Sequence, residues 1–139
     1  MPHDIPPNVQ VGGPLEGDAL ADFVHGSRLV VNPSTCYETF GMSVAEAMLR
    51  ARPVVVPNHG VFPELIQDGV SGVLHAPADA DSLARAIRRV WDDPASATAL
   101  GRAARERAVK EYSPEAYYVR FMAACDEAMA MRAPAHRDG

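Results

Sequence analysis

Lysine is almost missing from this chain. Lys110 is the only one, and the rest of the basic charge sits on arginines scattered over several segments. With 13 Lys+Arg against 18 Asp+Glu the formal net charge is −5. That speaks against a nucleic-acid binder, whose footprint is a basic stripe or patch. Long hydrophobic runs are missing too. The aliphatic stretches, such as Val54-Val55-Val56, fall far short of the roughly 20 apolar residues that cross a bilayer, so no transmembrane segment is expected. The N-terminus, "MPHDIPPN", has none of the charged, apolar and small-residue regions of a secretory signal, and a cytoplasmic protein is expected. Cysteine is scarce: Cys36 and Cys125 lie far apart, in no C-x-x-C or Cys/His spacing, which indicates neither a disulfide framework nor a zinc site. The histidines (His3, His25, His59, His75, His136) form no H-x-x-x-H pair, so they suggest no metal site.

What the chain does hold is enough apolar content, 47% of 139 residues, for one globular domain. Residues 1–14 are dense in breakers (Pro2, Pro6, Pro7, Gly12, Gly13, Pro14) and read as a flexible segment with room for a short strand near Val9–Val11. The domain is expected over residues 15–130, and "APAHRDG" closes a disordered tail at 131–139. Asp18 can cap a helix that sets Leu20, Phe23 and Val24 on one face. A buried strand follows at 29–32, stopped by Asn32-Pro33. Then come a helix at 43–51, a strand at 54–56, a helix from Pro63 stopped by Gly69, and a strand at 71–76. Asp81 caps the next helix, with Leu83, Ile87, Val90 and Trp91 on one stripe. Another helix covers 94–110, and Ser113-Pro114-Glu115 opens a last one. Tyr118, Phe121, Met122, Cys125 and Met129 form the apolar face of that helix and are expected to pack into the core. Short aliphatic strands alternating with helices give the fold class: α/β, a partial Rossmann-like, doubly wound parallel sheet.

The segment "PSTCYETFG" leaves the carboxyl end of the first strand and runs into a helix. Open α/β sheets bind ligands there, and the free amides and dipole of the helix start favour a phosphate. Gly41 would let a ligand approach the backbone. Glu38 in the loop and Glu46 about one turn into the helix could face a ligand at different depths, and an ionised carboxylate suits paired sugar hydroxyls. Two plainer readings stand beside this one. Ser43-Val44-Ala45-Glu46 spells the S-x-x-E capping box, and Glu38 reads equally as a solvated loop acid. Asp79-Ala80-Asp81 spells D-x-D, a metal motif in some transferases, but its place before "SLARAIRRVW" makes it a helix cap, and no metal is expected.

Taken together, "VNPSTCYETFGMSVAEAML", "RPVVVPNHGVFPELIQDGVSGVL" and "ADADSLARAI" resemble the donor-binding C-terminal domain of family 4 type glycosyltransferases, over about residues 18–122. These are retaining enzymes of the GT-B fold that use nucleotide-diphosphate sugars and need no cofactor. The match rests mainly on the E-x7-E motif, here Glu38 and Glu46. By that resemblance Glu46 holds the ribose hydroxyls, while Glu38, the catalytic-site acid, contacts the transferred sugar near its reacting carbon. Thr39, Phe40, Gly41 and Met42 offer backbone groups to the sugar and diphosphate, and Ser34, Ser43 and Gly60 complete the substrate-binding set. The acceptor implied is a saccharide or a lipid-linked one.

The family's Gly-Gly-x-Pro-Glu loop appears here as Gly60-Val61-Phe62-Pro63-Glu64, and a β-branched residue in second place resists positive φ. The N-terminal Rossmann domain of a GT-B enzyme has no counterpart in this sequence, nor have the first strands that carry an Arg and a Lys for the diphosphate. The expected function is therefore the donor-binding part of a glycosyltransferase, working with an N-terminal partner chain or as a homo-oligomer and doubtful as a catalyst alone. The alternative is an inactive nucleotide-sugar-binding or assembly module of the same fold. In the doubly wound order the first strand lies beside the fourth, which "LVVNP" represents, so that strand is expected to have an open edge that recruits a partner.

Overall fold

Val54, Val55 and Val56 are aliphatic on every side, and a strand of that kind is stable only with both sheet faces covered. In the computed structural model, which describes residues 5–132, they form the middle strand of a parallel sheet. Strands β1 (Val30–Val31), β2 (Val54–Pro57) and β3 (Val73–His75) lie in the order β1-β2-β3, with Val30 opposite Val54 and Val55 opposite Val73. The helices are α1 (Gly17–Gly26), α2 (Met42–Leu49), α3 (Phe62–Leu65), α4 (Ala80–Trp91), α5 (Pro94–Tyr112) and α6 (Pro114–Arg132).

Alternation along β2 divides the core into two layers. Val54 and Val56 pack with Val44, Ala47 and Met48 of α2, Phe62 and Leu65 of α3, and Ala104 and Ala108 of α5. Val55 and Val73 pack with Ala86 and Val90 of α4 and Ala97 and Leu100 of α5. Helix α5 thus serves both layers, and it reaches them through small residues. A Cβ on Gly101 would stand 2.2 Å from the Ala51 carbonyl oxygen. Arg107 of α5 adds bonds to the end of α3, from Nε to the Leu65 carbonyl at 2.9 Å and from Nη2 to that of Glu64 at 2.7 Å.

The strands and the longer helices fall where the sequence puts them; several details differ. Residues 9–11 form no strand: Val9 and Val11 are exposed coil, because the surrounding prolines and glycines offer no partner. Glu16, with no side-chain bond, occupies the N-cap of α1, while Asp18 sits in its first turn. Helix α3 is a single turn that ends at Leu65, with Ile66 as its C-cap, and does not reach Gly69. Ile66 turns to extended backbone and buries its side chain at 2% exposure, and the chain onward is closed by Ser71 Oγ accepting from the Gln67 amide. Asp79 rather than Asp81 caps α4, accepting from the Ser82 amide at 2.8 Å.

The largest departure is α6. Its start is as expected, with Ser113 Oγ accepting from the Ala116 amide. Its apolar face, however, does not enter the core: Tyr118, Phe121, Met122 and Met129 are exposed and Cys125 is only partly covered. Exposed Tyr117, Val119 and Met131 join them, so apolar residues lie around the helix instead of along one stripe. Both core layers are already filled without α6. Residues 1–4 and 133–139, including most of the expected tail, lie outside the described residues.

Gly101→Ala drives a methyl group into a backbone carbonyl and is expected to lower the unfolding free energy by about 1–3 kcal/mol, the usual range for overpacking. Urea denaturation measures this; an unchanged midpoint would contradict so close an approach of α5 to the Ala51 turn.

Candidate functional site

The segment between β1 and α2 is shaped by its own short side chains. Asn32 Oδ1 accepts from the Ser34 amide at 3.0 Å, and Ser34 Oγ accepts from the Cys36 amide at 3.1 Å. These two turns fold the chain over the carboxyl end of the sheet, as Asx and Ser motifs do.

The segment after β2 then clamps it. His59 Nε2 lies 3.2 Å from the Ser34 carbonyl oxygen. A carbonyl only accepts, so Nε2 is the donor here, while Nδ1 is buried and without a partner among the described residues. The Tyr37 ring meets His59 edge-on at 5.0 Å. Val61 donates its amide to the Glu38 carbonyl at 3.1 Å. Gly60 allows this contact: at φ 59° a Cβ there would stand 3.0 Å from Glu38 O and 3.1 Å from Glu38 N. Val61 itself, at φ −75°, needs no positive φ, so the loop keeps its bend with one glycine where the resemblance leads one to expect two.

Gly41 makes the next turn. It holds the N-cap of α2 in the left-handed region at φ 74°, buried, and a Cβ there would lie 3.0 Å from Leu65 and 3.2 Å from Phe62. Its carbonyl accepts from the Val44 and Ala45 amides, which leaves those of Met42 and Ser43 unbonded among the described residues. The S-x-x-E capping box does not form: the N-cap is Gly41, with no side-chain bond, and Ser43 lies inside the first turn. The plain structural reading of Glu46 is thereby removed.

Glu46 is half-buried one turn into α2, and Glu38 is exposed on the clamped loop. Among the described residues no hydrogen bond or ion pair holds either carboxylate. Thr39, Phe40, Met42 and Ser43 are exposed and Ser34 and Gly60 half-buried, so the expected residues share one stretch of surface at the carboxyl end of the sheet. Residues 32–49 contain no Lys or Arg. Asp79 is committed to its cap, and among the described residues no group of three or more His, Cys, Asp or Glu could hold a metal ion. His59 is the residue that sequence reasoning missed; its one signal is its place directly after the carboxyl end of β2.

The family model for group 1 glycosyl transferases matches residues 2–107. The chain belongs to that family. The chain is 39% identical over 100 residues to glycogen synthase of Mycobacterium tuberculosis, covering 72% of this chain and 24% of that protein. Among solved structures, sucrose-phosphate synthase from Thermosynechococcus elongatus superposes with a TM-score of 0.75 at 32% identity, over 86% of this chain and 30% of that one. Anabaena HepE, solved in complex with UDP-glucose, superposes at 0.69 with 27% identity, over 76% of this chain and 29% of its own. These neighbours have the GT-B fold, and the chain spans less than a third of the length of each. Among the described residues no helix is long and apolar enough to cross a membrane.

Gly60→Ala should loosen the clamp at Glu38 while leaving the strands paired, because the added methyl meets only that loop's backbone. Hydrogen exchange is expected to speed up for amides in 34–41 and to stay slow in 54–56; equal rates in both segments before and after would refute the clamp.

Proposed function

We propose that this chain is the donor-binding, C-terminal part of a retaining, family 4 type glycosyltransferase that uses a nucleotide-diphosphate sugar. One observation carries the reading: Glu46, a half-buried residue one turn into α2, has a carboxylate with no hydrogen bond or ion pair among the described residues and no capping duty. Glu46 takes the ribose hydroxyls, and Glu38 takes hydroxyls of the transferred sugar. The free amides of Met42 and Ser43 and the α2 dipole receive the diphosphate, with Thr39, Phe40 and Gly41 lining its path and Ser34 and Gly60 fixing the loop. HepE, solved with UDP-glucose, supports a uridine or similar donor.

In the proposed transfer the acceptor oxygen bonds to the anomeric carbon on the face from which the diphosphate leaves. The carbon–oxygen bond to the diphosphate breaks, and the departing phosphate takes the acceptor's proton. Glu38 is a positioning group in this scheme, and charge on the leaving group is the main quantity to be stabilised. Helix amides meet part of that need. With no Lys or Arg in residues 32–49, the remaining countercharge comes from polypeptide beyond this chain, as do the contacts to a saccharide or lipid-linked acceptor. A second reading, a donor-binding module without turnover, draws on the same lack of cations. We place either form in the cytoplasm, where nucleotide-activated sugars are made.

Calorimetric titration with UDP-glucose and GDP-mannose tests the donor site. Glu46→Gln is expected to weaken binding by about tenfold or more, the scale of a lost charge-assisted hydrogen bond. No binding by folded wild type, or equal binding by the variant, would sink the reading.

The open edge of β1 carries a related expectation. Val30 and Asn32 turn their amides to β2, so the backbone of Val31 faces away from the sheet, and a second copy or the rest of the enzyme covers it. Sedimentation at micromolar concentration should show association; a strict monomer with well-protected amides at 29–32 would contradict it.

A further inference from the structure

A cavity of about 420 Å³ opens at the amino end of the sheet, away from the loop of Glu38. Its place follows from the topology: Arg28 precedes β1, Pro53 precedes β2, and Pro94 begins α5. Three arginines, Arg28, Arg52 and Arg102, are among its lining residues, and among the described residues no Asp or Glu lines it.

Their present partners neutralise little of this charge. Arg28 lies over the Trp91 ring at 4.4 Å and donates to the Trp91 carbonyl. Arg52 donates from Nε to the Arg50 carbonyl at 3.2 Å and from Nη1 to that of Ser27 at 3.1 Å. Among the described residues Arg102 has only Glu106, at 3.9 Å, and both side chains are more than two-thirds exposed, so the pair is weak. Asp93, at the N-cap of α5, is taken by the Ser96 amide. Arg28 and Arg52 are thus fixed in position by neutral oxygens and keep unused N–H donors, in a chain whose net charge is −5. Like charges gathered in a concave site repel one another, and a bound anion relieves this.

We infer that this cavity binds a small phosphomonoester at a site separate from the donor site. Planar guanidiniums match phosphate oxygens in pairs, and three arginines border this one cavity. Pro53 and Pro94 give the organic part of the ester an apolar wall, and the volume is in the range of small-metabolite sites. The net charge of −5 disfavours a polyanion or an anionic membrane, so the ligand is a soluble ester and not a phospholipid headgroup.

Trp91 is the only tryptophan and lies under Arg28, so its fluorescence reports on the cavity. Titration with glycerol phosphate at constant ionic strength is expected to give a saturable change. Arg102→Gln, on an exposed helix face, and Thr98→Glu, which puts a carboxylate at the cavity wall, should each weaken it about tenfold or more with unaltered circular dichroism. Glu46→Gln should leave it unchanged. The proposal fails if the change is absent, if sodium chloride reproduces it, or if a folded variant of the pair binds like wild type. It fails equally if Glu46→Gln abolishes the change, which would place the phosphate at the donor site. Co-sedimentation with phosphatidylcholine vesicles containing phosphatidic acid, without any response to the soluble ester, would assign the cavity to a lipid headgroup and overturn it.

Discussion

The rest of this structure depends on the burial of β2 on both faces. Val54, Val55 and Val56 are completely covered, and their alternation decides which helices belong to which layer. A strand of four residues cannot be held by its ladder alone, so the helices on either side supply the stability. Helix α5 is the least replaceable of these. Among the described residues it is the one helix that packs into both layers, and it can do so because Ala97, Gly101, Ala104 and Ala108 keep its inner face thin.

The candidate site is a by-product of that packing. Leu65 and Phe62 are core residues of one layer, and the same two side chains press on Gly41 and fix the start of α2. Where β2 ends, His59, Gly60 and Val61 bind the loop that carries Glu38. The two acids are therefore held by rigid backbone while their carboxylates are left without partners. Stability is concentrated in the backbone, and the side chains are left for a ligand.

Much of this was legible in the residues, for physical reasons that can be named. Aliphatic runs between turn signals located the strands, and Ser113-Pro114 marked a helix start with a capping oxygen and a preset φ. Errors arose where one local pattern fits two geometries. Asp79 and Asp81 both read as caps, and only the position of Ser82 chose between them. Ser43 and Glu46 spell a capping box, but Gly41 reached the left-handed region first and started the helix two residues earlier. The face of α6 expected to pack into the core is apolar but largely exposed, and apolar neighbours lie on its other sides too. Periodicity says that such a face seeks cover, without saying whether the cover lies in the same chain.

Pro33 follows the short β1 almost at once, and proline has no amide hydrogen. The outward edge of the sheet consequently offers a neighbouring strand little beyond the amide and carbonyl of Val31. So short a template gives poor purchase to indiscriminate strand addition, the route by which exposed edges seed amyloid-like growth. An element that docks there has to be recognised by the shape of its side chains, and the same two-residue brevity that makes the edge look unfinished also guards it against promiscuity.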